Sequence, residues 1–309
     1  MTATSQPQVA PPLARFRNLV PYQSQHAEKG IPRELMEYLT ANRVFPVVSP
    51  AGLVGRNAAA HLRGWPGLCI TIAQCTPQQG PVAHNHTGTL ETFFCMNGRF
   101  DVMWGNRLEH KVTVEPGDLV SVPPGMYRAF RNLTDEPARL LVLIQGDRNM
   151  SDKIEMPRYI GEEVRAQYGE EVLDMLAAIN MRFQGENTPD FTSQQMALRT
   201  WRARGLAPGL HPIMAPAGGA APIACWPGLN VSLLLTAQGE QANARVPDEH
   251  REWIVNVGEQ ACEVVLDGEP IELAPFDMLC AEAGAQRTIR ATGGARVLLA
   301  LQGSETITH

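Results

Sequence analysis

The sequence has no long hydrophobic run, no surplus of basic charge and no paired cysteines, and each absence removes a class of protein. No apolar stretch approaches the roughly 18 residues that a spanning helix needs. The N-terminal Met1-Thr-Ala-Thr-Ser-Gln-Pro lacks the basic and then apolar regions of a signal peptide. Both point to a cytoplasmic protein. A net charge of −6 argues against a nucleic-acid or anionic-membrane surface. The six cysteines include no C-x-x-C pair, so neither structural zinc nor a redox motif is indicated. Most lie in apolar strand-like runs, where a thiol packs as a small hydrophobe. Also missing are a G-x-S-x-G elbow, a Walker loop, a Gly-rich dinucleotide fingerprint and an H-E-x-x-H helix.

What is present is an ordinary globular balance, 44% hydrophobic and 19% charged, over 309 residues. That is enough chain for two domains, each with its own core. Residues 1–52 read as a polar, proline-containing arm with one short helix near Pro32-Arg-Glu-Leu-Met-Glu-Tyr-Leu. From Trp65 to Gly146 come short β-branched and aromatic runs broken by Pro and Gly, the mark of a sandwich or barrel. We place a first barrel at 53–147 and a linker at 148–205. Within the linker, Val164, Tyr168, Val172, Met175, Leu176 and Ile179 recur at helical spacing, which predicts a helix over about 161–183 docked on a barrel wall. A second barrel follows at 206–309.

The second barrel repeats the first within the one sequence. Trp65-Pro-Gly-Leu68 recurs as Trp226-Pro-Gly-Leu229, and at the same offset Glu91 falls on Glu252. With two single-residue deletions, Asp118 falls on Asp277 and Arg128 on Arg287, and with two more Gln145-Gly146 falls on Gln302-Gly303. The halves differ at one place. His84 falls on Arg245 and His86 on Pro247, so a site built on the histidines belongs to the first half only.

That site is His84-Asn-His86, with Glu91 at the head of the next apolar run. Histidines at i and i+2 share one face of a strand. Two imidazoles and a carboxylate from adjacent strands match the facial arrangement that holds a divalent metal and leaves positions open. Without a metal, the histidines would be a hydrogen-bonded strand pair. Arg128 cannot ligate, because its guanidinium stays protonated. Set ~5 Å from a dication at an effective dielectric of ~20, it would feel a repulsion on the order of 6 kcal/mol, which calls for nearby anions. Glu91 is one candidate and a substrate anion another. Glu91 therefore has two readings, as a metal ligand or as the buried partner of Arg128, and the second is repeated by Glu252 and Arg287. Phe93, Phe130 and Trp104 are candidates for an aromatic cavity wall, and equally for plain core.

Together, His84, His86, Glu91 and Gly98, with Gly117, Pro123, Gly125 and Asn132 further on, resemble the two motifs of the cupin family. The departures are Gly80, closer to His84 than the pattern has it, and Arg128, where the family places a last histidine ligand. The resemblance implies an all-β fold of two double-stranded β-helix (jelly-roll) barrels, with an N-terminal arm and a helical linker. It also implies one divalent metal per chain at His84, His86 and Glu91. Fe(II) is favoured, with Mn, Ni or Zn possible. Similarity to bicupin dioxygenases acting on phenols and hydroxy-aromatic acids implies an oxygenase with a small anionic substrate, phenolic or carboxylate, oriented by the catalytic-site residue Arg128. A cupin isomerase or decarboxylase, or a metal-free bicupin that binds a small anion, is the alternative. Exposed barrel edges imply a homodimer.

Overall fold

The chain forms two jelly-roll barrels packed back to back, seen here in a computed structural model that describes residues 12–146, 153–185, 190–291 and 293–304. Each barrel sets a seven-stranded sheet against a smaller one. In the first barrel, Leu90–Asn97, Ala138–Gln145 and Leu68–Cys75 lie side by side at the centre of the large sheet. They read as nearly unbroken hydrophobic runs because both of their faces are covered. Cys69, Ala73 and Cys75 face the interior of the first barrel, whereas Leu68, Ile70 and Ile72 face the second. Phe93 and Cys95 alternate in the same way with Phe94 and Met96. The middle core is thus a sandwich of the two large sheets, with Ile213, Leu233, Trp253 and Leu298 supplied by the second barrel.

The residues that repeat in the sequence are contacts made reciprocally between the halves. The Gln145 side-chain amide donates to the carbonyls of Trp226 and Pro227, at 2.8 and 3.0 Å. Gln302 donates in turn to those of Trp65 and Pro66, at 3.1 and 3.4 Å. The segments leading into each barrel are also exchanged. Leu13–Ala14 adds an edge strand to the second barrel, and Thr200–Trp201 adds one to the first. Asp118 fixes one crossing by accepting from Ala203 N and Arg202 Nη1, at 2.9 and 2.7 Å. Asp277 fixes the other by accepting from Phe16 N and Arg15 Nη1, both at 2.8 Å. These buried carboxylates explain why Pro-x-Asp appears twice.

The structure moves one boundary read from the sequence, adds a helix to the arm and divides the linker helix. Arg43–Pro50 belongs to the first barrel and not to the arm, since it pairs along Leu68–Cys75. Arm residues also fold into α1 (Tyr22–Ala27) as well as α2 (Arg33–Leu39). The single helix expected over 161–183 is two, α3 (Arg158–Tyr168) and α4 (Glu170–Ala178). Gly169 separates them at φ +87°, a conformation that a side chain would resist. Val164 and Leu176 are buried against the first barrel, with Tyr168, Val172, Met175 and Ile179 packed beside them, so the apolar stripe docks as its spacing implies. Among the described residues, no helix is long and apolar enough to cross a membrane.

Candidate metal centre

The two histidines lie on an irregular stretch that runs beside the strand Arg128–Asn132. His84 N and O pair with Arg128 O and N at 3.1 and 2.9 Å, and Asn85 pairs on its other side with Glu155. Backbone pairing on both sides holds the stretch extended, so the side chains of His84 and His86 fall on one face. Gly80 explains why this ladder is irregular. A Cβ there would stand 1.6 Å from the carbonyl oxygen of Phe130, so only glycine permits the approach. Gly80→Ala should push the stretch off its neighbour and cost roughly 1–3 kcal/mol, read as a lowered melting temperature.

Glu91, the second residue of Leu90–Asn97, meets the histidines from the large sheet of the same barrel. The ligand atoms of His84, His86 and Glu91 all lie within 4.8 Å of one another, and all three residues are buried. A small contraction would bring them onto one ion with bonds of about 2.0–2.2 Å. His84 Nδ1 lies 2.9 Å from the carbonyl of Val82, which fixes the proton on Nδ1 and leaves the Nε2 lone pair for a ligand. His86 Nε2 lies 3.4 Å from Glu91 Oε1. Burial pushes the His84 pKa down to about 4, with Glu91 opposing and Arg128 adding to the fall. Burial, then the positive charge of Arg128, holds His86 well below the usual histidine range. Both rings are therefore neutral at neutral pH, as metal ligation requires. The donor set fits a divalent ion. Among the described residues, no other group of three such side chains comes together.

Arg128 is fully buried, and two of its three guanidinium nitrogens are engaged. Nε donates to Glu91 Oε2 at 2.9 Å and Nη1 donates to the Met126 carbonyl at 2.9 Å. Nη2 has no partner among the described residues. Glu91 is thus shared, with Oε2 on the arginine and Oε1 towards His86. The pair recurs in the second barrel, where Arg287 Nε donates to Glu252 Oε2 and Nη2 donates to Oε1 at 3.1 Å. There the counterpart of His84, Arg245, faces outward to Asp248 at 2.8 Å. His250, near in sequence, is only partly buried, with Nδ1 2.9 Å from the Asp248 carbonyl. The second barrel's interior is an apolar core around Val264, Ile289 and Leu299.

The His84, His86 and Glu91 cluster opens into a cavity of ≈60 Å³. Its wall includes His84, His86, Glu91 and Phe130, but not Arg128. The cation that lines it is Arg56, 5% exposed, beside Asn57, Tyr22 and Thr40. Arg128, expected to orient a substrate anion, engages Glu91 and does not line this cavity. Arg56 lies in a loop, Gly55-Arg-Asn-Ala-Ala-Ala60, with no periodicity to mark it. The one signal was an Arg-Asn pair in an otherwise small-residue loop. Of the aromatic candidates, Phe130 lines the cavity, Phe93 packs on it at 5.2 Å between centroids, and Trp104 donates instead to the Phe191 carbonyl.

Two jelly rolls in one chain, with His-x-His and Glu converging inside only the first, define a duplicated-barrel protein with one candidate metal centre. Residues 72–144, within the first barrel, match the cupin domain family model. Among curated proteins, none matches it in sequence. Solved structures that resemble it include a bacterial pirin from Escherichia coli in complex with nickel(II), at 14% identity and a TM-score of 0.55, covering 85% of this chain and 92% of that one. Salicylate 1,2-dioxygenase from Pseudaminobacter salicylatoxidans resembles it at 14% identity and 0.54, covering 98% and 87%. A variant of Bacillus subtilis oxalate decarboxylase does so at 11% and 0.57, covering 98% and 80%. Identities this low establish a shared fold, which hosts many chemistries.

Proposed function

We propose that this protein is a metal-dependent bicupin oxygenase, an Fe(II) dioxygenase in kind, acting on a small anionic substrate in its first barrel. The observation that carries the reading is the buried convergence of two neutral imidazoles and a carboxylate on the wall of a cavity. A bound ion would supply Lewis acidity and, for redox-active iron, electron transfer with dioxygen. The chain's own residues do the rest. His84 and His86 offer uncharged lone pairs, and Val82 holds the His84 tautomer. Arg128 fixes the orientation of Glu91, and Arg56 lines the cavity beside them. The arm residues Tyr22, Leu39 and Thr40 cover the cavity and limit water. Similarity to a dioxygenase and to a nickel-bound pirin supports the class of chemistry, and leaves Mn, Ni and Zn open.

The test is elemental analysis of protein purified without added metal. One divalent ion per chain is expected, and none in a His84→Ala/His86→Ala variant that still melts cooperatively. Two tightly held ions per chain would refute the asymmetry between barrels. A second reading, a metal-free bicupin that binds a small anion, is favoured by the Glu–Arg pair recurring where no histidines remain. A parent protein that takes up no divalent metal yet binds a carboxylate would establish it.

A further inference from the structure

Thr71 puts a hydroxyl where packing alone would take an apolar side chain. It lies in the middle of Leu68–Cys75, at the centre of the first barrel's large sheet. Side chains alternate along a strand, and Cys69 and Ala73 on either side of it face the barrel interior. Thr71 therefore faces inward as well, 3% exposed, and lines the same cavity as the histidines. The register sets it opposite Val142, whereas Glu91 lies opposite Ile144 across the far side of that strand. Thr71 and Glu91 are thus two strands and one inward-facing residue apart, about 12 Å between backbones in a flat sheet. Their side chains turn into one space from two sides.

A hydroxyl in this position needs a partner. Among the described residues, Thr71 Oγ1 has no hydrogen bond, whereas its neighbours on the wall are committed. The Thr40 hydroxyl accepts from Gln23 Nε2 at 3.0 Å and donates to the Met36 carbonyl at 2.6 Å. Glu91 is held by Arg128 at 2.9 Å, and Tyr22, Arg56 and Asn57 each have an interaction of their own. Burying a hydroxyl unpaired is unfavourable, and valine would fill the same volume without that penalty. What the fold leaves unpaired on a cavity wall is available to whatever enters the cavity.

We propose that Thr71 determines specificity in the first-barrel site by hydrogen-bonding an uncharged oxygen of the substrate, a hydroxyl or a carbonyl, while an anionic oxygen of the same small molecule is held at the metal cluster. This rests on the metal reading above. A divalent ion takes an anionic oxygen unaided, and a neutral hydroxyl that both donates and accepts suits a neutral oxygen of either kind. Acetate and glycolate differ by one hydroxyl and test the assignment. Protein loaded with Co(II), whose visible bands report ligand exchange, is titrated with each, as the parent, Thr71→Val and Thr71→Ser. Thr71→Val should weaken glycolate by about fivefold or more and acetate by less than about twofold. Chelation of the ion by the glycolate hydroxyl is common to parent and variant, so the double difference isolates Thr71. Thr71→Ser keeps the hydroxyl and should hold glycolate to within about twofold of the parent. Thr71→Val should also melt no lower than the parent, because no hydrogen bond of the fold is lost. Equal weakening of both anions, or of neither, would overturn the proposal. So would a clearly lower melting temperature for Thr71→Val, which would show the hydroxyl paired within the fold. If Co(II) is not retained, the metal reading fails by itself. Calorimetry of glycolate with the metal-free protein then decides for Thr71, whose role is supported by binding that Thr71→Val weakens and overturned by its absence.

Discussion

Arg128→Met and Arg287→Met are each expected to destabilise the protein by about 3–5 kcal/mol, the usual cost of stranding one member of a buried ion pair. Both arginines are almost wholly enclosed, and each has a glutamate as its charged partner. Methionine fills much of the volume and removes the charge, so the loss reports the unpaired carboxylate and not a cavity. The barrels should then part company when a divalent metal is added. In Arg128→Met the freed Glu91 becomes a better ligand for an ion at His84 and His86, so metal should raise the melting temperature of this variant more than that of the parent. In Arg287→Met the freed Glu252 has no histidines beside it, so metal should raise the melting temperature no more than it does in the parent, through the intact first-barrel site. Chemical denaturation with and without Zn(II) measures both effects. If Arg128→Met instead keeps its stability and loses carboxylate affinity, then Arg128 is a substrate clamp after all, and the brace read from its contacts is wrong.

The contrast between those arginines shows how far the sequence could be read. The duplicated barrel was legible because a repeat leaves residues in register, and the structure gives most of them a reciprocal job: Gln145 and Gln302 on the opposite Trp-Pro-Gly turns, Asp118 and Asp277 on the exchanged segments. His84, His86 and Glu91 were legible because strand periodicity puts i and i+2 on one face. Arg56 was not, since it reaches the cavity from a loop by tertiary folding alone, and no local period encodes that. The direction of Arg128 was hidden for a related reason. Strand parity aims it inward, but parity does not say whether Glu91 or open space receives it. The linker helix was read through Gly169 because its apolar stripe continues across the break, and only the backbone angle reveals the interruption.

Acid should loosen the arm, and His26 is the reason. This residue sits on α1, 3% exposed, with no well-formed hydrogen bond at either ring nitrogen among the described residues, the nearby Arg56 backbone being the one group that opposes the fall in its pKa. Burial, reinforced by the charges of Lys29 and Arg56, brings its pKa down to about 4. The sign follows from which state binds the proton. Below the ordinary histidine value of 6.5 the unfolded chain takes up a proton that the folded one refuses, so stability present above pH 6.5 is lost as the pH falls and is fully lost near 4. A difference of this size is worth about 3 kcal/mol at the acid end, and roughly 2 kcal/mol at pH 5. His84 and His86 shift in the same direction, but a bound metal would alter their share, whereas His26 is not part of the cluster. His26→Leu therefore isolates the effect. It should melt close to the parent at pH 7.5, where an unpaired buried imidazole contributes little beyond packing against Tyr22 at 5.8 Å. At pH 5 the variant should be the more stable of the two by about 2 kcal/mol, with or without a chelator. Urea titrations of both proteins across pH 4–7.5 measure the slope, and parallel curves would mean that His26 accepts its proton in the folded state. The consequence reaches the site, because α1 also carries Tyr22 to the cavity wall. An arm that lifts in acid would uncover His84 and His86 to water, so metal retention should fail in the same pH range in the parent and at a lower pH in His26→Leu.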